Sequence, residues 1–146
     1  MTLRREMRVE KPRDEVFAFF ANAENLGRIT PPELNFQILT PLPIQMEEGT
    51  LIDYRLRIWG VPVYWQTLIS SWDPPHSFVD EQLRGPYREW IHTHRFEEDG
   101  SGTLLIDEVR YRIPFGPLGA LARPLVVRQV EKIFDHRNQV TRKLFS

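Results

Sequence analysis

The sequence predicts an α+β domain: a curved antiparallel sheet of about seven strands wrapped around one long C-terminal helix, with two short helices after the first strand. Three observations predict it. From Leu34 to Ile113 apolar and polar residues alternate with period two in run after run. From Leu118 to Leu144 the apolar residues recur at helical spacing instead. Between the opening strand and the alternating region lie two short stretches with helical character.

The elements follow in order. LRREMRV reads as the first strand, and the segment after Pro12 starts a short helix whose apolar face is Val16, Phe17, Phe19 and Phe20. AENLGRITPP is a second helical turn broken by Pro31-Pro32. LNFQILTP, GTLIDYRLRI, VYWQTLISSW, SFVDEQLR, YREWIHTHRF and TLLIDEVRYRI then read as six strands, with most prolines falling between them, where a missing N–H does no harm. In GTLIDYRLRI, Ile52, Tyr54, Leu56 and Ile58 share one face, and Asp53, Arg55 and Arg57 the other, as in a sheet wet on one side. The dry side needs a cover. Leu118, Leu121, Ala122, Leu125, Val126, Val130, Ile133, Phe134 and Leu144 supply it as one helix, with Pro124 at a first-turn position or a kink. A strongly curved sheet meeting a single helix leaves a hollow between them, and hollows of this kind bind small ligands.

Composition narrows the function. The 146 residues suit one domain, and 19 basic against 20 acidic side chains leave no electrostatic footprint for nucleic acid. The charged N-terminus has no apolar leader and no run of 18 apolar residues occurs, so the reading is cytoplasmic with no membrane span. Without cysteine there are no disulfides and no thiolate zinc sites. Gly-rich phosphate loops, HExxH and GxSxG are absent, so no cofactor is expected.

The chemistry concentrates in REWIHTHRF. Trp90, His92, His94 and Phe96 share one face, while Glu89, Arg95 and Glu97 mark the other as wet. On the next strand Leu105, Asp107, Val109, Tyr111 and Ile113 form the drier face. Centring the hairpin on Asp99-Gly100 pairs Phe96 with Thr103, His94 with Leu105, His92 with Asp107 and Trp90 with Val109. A carboxylate in reach fixes a histidine's tautomer, so the pair serves as a structural polar network, a ligand anchor or a catalytic acid–base. A third reading, metal-dependent and cupin-like through His92, His94 and Glu97, is the least favoured, because Glu97 faces away and the chain ends in helix where a cupin needs strands. Tyr54 and Trp65 share the inner face with Ile52 and Ile69 when the preceding hairpin folds about Gly60-Val61, which makes them core or pocket wall. SFVDEQLR admits either orientation, so Asp80, Glu81 and Gln82 stay outside the expected site.

FAFFANAENLGRITPPELNFQI, GTLIDY, GPYREWIHTHRF, DEVRY and IPFGPLG, in that order, resemble the SRPBCC superfamily, the START and birch-pollen-allergen type of helix-grip fold, and most of all its small bacterial polyketide cyclase/dehydrase-like members. The resemblance implies an apolar cavity for lipids, polyketides or similar molecules, and assigns no residue a role. The expected partner is a small hydrophobic molecule, with Tyr54, Trp65, Trp90, Val109 and Phe134 as wall and His92, His94, Asp107 and Tyr111 as polar anchors. The rival expectation is cyclase or dehydratase chemistry in which His92, oriented by Asp107, moves a proton.

Overall fold

The computed structural model describes residues 1–146. Strand β1 (Thr2–Val9) leads into helix α1 (Arg13–Phe20) and the single turn α2 (Leu26–Ile29). Then come β2 (Gln37–Ile38), β3 (Leu51–Ile58), β4 (Val61–Asp73), β5 (Ser77–Arg84), β6 (Glu89–Asp99), β7 (Gly102–Arg112) and helix α3 (Gly116–Leu144). All seven strands form one antiparallel sheet in the order β1-β7-β6-β5-β4-β3-β2. Register shifts at Gln66/Thr67 and Ile69/Ser71 let the long β4 bend, because an extra residue on one side of a ladder increases local twist.

The alternation read from the sequence sets the packing. Ile52, Tyr54 and Leu56 of β3 are buried, as are Trp90, His92, His94 and Phe96 of β6. The inner face carries two apolar clusters. One lies under α3 around Trp65, Trp90, Val109, Val130 and Phe134. The other lies under α1 around Val16, Phe17, Phe78 and Phe96.

Several expectations need correction. The strand read in LNFQILTP shrinks to Gln37–Ile38, because Asn35 takes a left-handed backbone before it and prolines 41 and 43 follow. The β3–β4 turn centres on Trp59-Gly60, with Ile58 opposite Val61. Helix α3 does not bury its whole apolar set. Its inward stripe is Gly119, Val126, Val130, Phe134, Arg137 and Thr141, whereas Leu118, Leu121, Leu125 and Leu144 are exposed. At Gly119 an added Cβ would sit 2.0 Å from the carbonyl oxygen of Pro114, in the connection that leads from β7 into α3, so that connection leaves no room for a side chain. Pro124 lies inside α3 on its exposed side.

This division predicts unequal costs for similar truncations. Val130→Ala, at a site with no solvent exposure, should cost about 2 kcal/mol, whereas Leu121→Ala should change stability by less than about 0.5 kcal/mol. Urea unfolding of the two variants checks both values.

Candidate functional site

Strands β5, β6 and β7 lie side by side, so their inner faces bring three short rows together. Across β5–β6, Asp80 stands opposite His92 and Phe78 opposite His94. Across β6–β7, His94 stands opposite Asp107, His92 opposite Val109 and Trp90 opposite Tyr111. The turn is therefore Gly100-Ser101, two residues from the expected register, and His92 does not face Asp107 directly. A slip of two preserves both faces and exchanges every partner.

The side chains restore the expected contact along the diagonals. His92 Nε2 lies 2.7 Å from Asp107 Oδ1, and His94 Nε2 lies 2.5 Å from Asp80 Oδ2. The directly opposed atoms, His92 Nδ1 to Asp80 Oδ2 and His94 Nδ1 to Asp107 Oδ1, are each 3.6 Å apart. The two imidazoles thus stack, with centroids 3.6 Å apart, between two carboxylates. Arg137 closes the group from α3. Its guanidinium reaches His94 Nδ1 at 3.2 Å and Asp107 Oδ1 at 3.6 Å, and lies against the rings of Phe20 and Phe134.

These partners assign the protons. Arginine can only donate, so His94 Nδ1 accepts from Arg137 and His94 Nε2 carries the proton it donates to Asp80. His92 Nε2 donates to the Asp107 carboxylate, and its Nδ1 lies on the Asp80 side, 3.6 Å from Asp80 Oδ2.

The electrostatics agree. Burial alone drives the Asp107 carboxyl up, but Arg137 and the His92 hydrogen bond outweigh it and hold the group well below the usual carboxylate range. Asp80 is lowered too, where the charge of His92 and the hydrogen bond from His94 overcome burial. Burial, and then the proximity of His92, pushes His94 down to about 4 in spite of Asp80. His94 is therefore neutral near pH 7, and the two carboxylates outnumber the one guanidinium that faces them.

Asp80, His92 and His94 also hold donor atoms within 4.8 Å of one another, a spacing a transition metal could span. The tautomers oppose that use. With Arg137 bound to Nδ1, His94 has a proton on the nitrogen that faces Asp80, so it could ligate there only by breaking the Arg137 contact or giving up its last N–H.

The cluster borders a cavity between sheet and helices. One lobe, about 530 Å³ including its mouth, is walled by Phe19, Phe20, Leu26, Ile29, Ile52 and Ile69. A second, about 800 Å³, is walled by Tyr54, Leu56, Trp65, Tyr87, Trp90 and Phe134. Asp80, His94 and Arg137 face both lobes, and His92 faces the second. Three buried donors lack any partner, and two of them, Trp65 Nε1 and Arg137 Nε, belong to residues that line this cavity, whereas Arg13 does not. Tyr54 does not share this need, because its hydroxyl is hydrogen-bonded to Thr67.

Of the residues expected from sequence, Tyr54, Trp65, Trp90, His92, His94 and Phe134 line the cavity. Asp107 sits behind the imidazoles and acts through His92, while Val109 and Tyr111 are buried in the core under α3 and border neither lobe. The reading missed Asp80 and Arg137. Arg137 had a signal: it follows Val130 by seven residues and Phe134 by three, which puts it on the buried stripe. Asp80 had none, since its strand alternates equally well on both faces.

Comparison with known proteins agrees with this architecture. Residues 9–135 match the family model described as polyketide cyclase / dehydrase and lipid transport. Among solved structures, TTHA0849 from Thermus thermophilus superposes with a TM-score of 0.79 at 17% identity, covering 98% of this chain and 95% of that one. A START superfamily protein from Mycobacterium smegmatis gives 0.75 at 13% identity over 99% and 96% of the two chains. Ginseng major latex-like protein 151 from Panax ginseng gives 0.67 at 11% identity over 99% and 97%. No curated protein matches the sequence. At such identities the structural likeness establishes the helix-grip fold, and the family match over most of the length establishes descent: the chain belongs to the polyketide cyclase / dehydrase and lipid transport family of the SRPBCC superfamily.

Proposed function

We propose that the protein binds a small, mainly apolar molecule that carries at least one oxygen, with its carbon skeleton in the aromatic lobe and its oxygen turned toward the charged cluster. The observation that carries this is the pair of unpartnered buried donors, Trp65 Nε1 and Arg137 Nε, beside an otherwise apolar wall. A buried N–H without a partner costs about 1–3 kcal/mol, so a ligand oxygen accepting from it recovers that penalty on binding. His92, at the edge of the same lobe, adds a polar group for that oxygen to meet. Family membership supports a hydrophobic ligand in this cavity.

Native mass spectrometry of gently purified protein, followed by calorimetric titration with the molecule it carries, tests the reading. Trp65→Phe keeps an aromatic wall while removing the pyrrole ring with its N–H, and should weaken that affinity about tenfold. Unchanged affinity would mean that the indole N–H faces no ligand.

A second reading is favoured by one contact. The 2.7 Å hydrogen bond from His92 to Asp107 fixes the orientation of an imidazole that borders the second lobe, as a base for proton abstraction next to a carbonyl requires. His92→Ala separates the two: lost turnover with retained affinity marks catalysis, and weakened affinity with no turnover of any candidate marks binding alone.

A further inference from the structure

Six of the twelve exposed large apolar side chains gather at one end of the molecule. Trp59 and Val61 at the β3–β4 turn and Phe115, Leu118, Leu121 and Leu125 at the start of α3 all stand in water. A single groove walled by Trp59, Tyr87, Phe115 and Leu118 joins the turn to the helix, and a second hollow joins Trp59 to Leu125. Groupings of this size on a single chain mark places where something else is covered or bound.

The backbone reinforces the point. Trp59 has φ 49° and Phe115 has φ 70°, a left-handed conformation that bulky side chains avoid. Trp59 occupies the two-residue turn beside Gly60 (φ 78°), a position that Asn or Gly fills at lower cost. Asn35 is the other non-glycine residue with positive φ. The chain therefore accepts strain to hold two aromatic rings in water, with 63% of Trp59 and 80% of Phe115 exposed.

Charge says what the patch faces. Strand order puts residues 57–62, 84–89 and 112–128 at one end of the sheet. Those segments contain Arg57, Arg84, Arg88, Arg112, Arg123 and Arg128, all exposed, against Glu89, while Glu33 and Lys132 border the hollow between Trp59 and Leu125. The opposite end, residues 8–15, 45–50, 73–76 and 96–101, contains nine acids and three bases. A chain of net charge −1 is thus strongly polarised, with its greasy patch inside the basic pole. A second copy docking patch to patch would bring two basic poles together, so self-association is opposed. An anionic bilayer surface satisfies both features, taking the apolar side chains into its headgroup boundary and the arginines onto its lipid phosphates.

We propose that the basic pole, through Trp59, Phe115, Leu118, Leu121 and Leu125 ringed by arginines, docks the protein on anionic membrane surfaces. The groove under this patch shares Ile58 and Tyr87 with the aromatic lobe, so a docked molecule would present that side of its cavity to the lipid. The docking itself does not depend on which ligand the cavity holds.

Co-sedimentation of the full chain with vesicles tests it. The protein should pellet with phosphatidylcholine vesicles containing about 30% phosphatidylglycerol, pellet weakly with pure phosphatidylcholine, and be released by about 0.5 M salt. Arg123→Glu with Arg128→Glu should lower partitioning by at least about 25-fold, since each arginine near such a surface is worth roughly fivefold. Leu118→Ser with Leu121→Ser should lower it by about tenfold or more and leave thermal unfolding unchanged, because both side chains are already in water. Protein that stays in the supernatant with anionic vesicles at low salt overturns the proposal. So does partitioning that ignores both double variants, or a concentration-dependent dimer that Leu121→Ser dissociates.

Discussion

Asp107→Ala is expected to lower folding stability by about 3–5 kcal/mol, read from the urea midpoint at unchanged slope. Asp107 is the nearest carboxylate to the Arg137 guanidinium, at 3.6 Å, and accepts the His92 hydrogen bond. Arg137 is 7% exposed and its Nε is already unpartnered, so losing the carboxylate strands a positive charge in the interior. Arg137→Met should cost a similar amount for the opposite reason, leaving Asp107 and Asp80 to repel each other without a cation between them and α3. The double variant Asp107→Leu/Arg137→Met removes both charges and should recover at least half of either single loss. Strict additivity of the two losses would show that the residues do not act as a pair. Should Asp107→Ala fail to fold, the double variant alone carries the test, since it should fold when each single change is severe.

The same cluster shows what the sequence could and could not reveal. Which residues of β6 and β7 point inward was legible, because charged Glu89, Arg95 and Glu97 alternate with Trp90, His92, His94 and Phe96. Which residues oppose one another was not, because EEDGSG offers two adjacent turn centres and period-two patterns are blind to a slip of two. The His92–Asp107 bond was anticipated from the wrong pairing and exists through a diagonal instead. For α3, helical spacing revealed a helix but not the width of its buried stripe. Leu118, Leu121 and Leu125 look like core in a chain read alone, yet they are exposed while Gly119 and Val126 of the same turns are buried. Arg137 is the converse, a charged residue whose position on the stripe outranked its chemistry. Sequence patterns report which side a residue occupies. Pairing across strands and coverage of one layer by another are tertiary facts.

Stability should fall as pH drops from about 6.5 toward 4, by about 3 kcal/mol at most, through His94 alone. The folded protein holds this imidazole at about 4 against an ordinary 6.5, so between those values the unfolded chain takes up a proton that the native state refuses. Its contribution is fully present above 6.5 and erodes as the unfolded state gains that proton. Asp80 and Asp107 act at still lower pH. Their folded values are depressed, so the stability they contribute is present above the ordinary carboxylate value and is lost as pH falls through the folded one. Urea midpoints measured from about pH 7.5 to about pH 4.5 should show the first decline in the parent, a much flatter profile in His94→Gln, and no change in His76→Gln, whose side chain is exposed in the β4–β5 turn. A level parent profile would mean that His94 protonates freely in the folded state. Arg137 could not then donate to Nδ1, because that nitrogen would hold a proton of its own. The titration therefore tests the direction of the hydrogen-bond chain from Arg137 through His94 to Asp80.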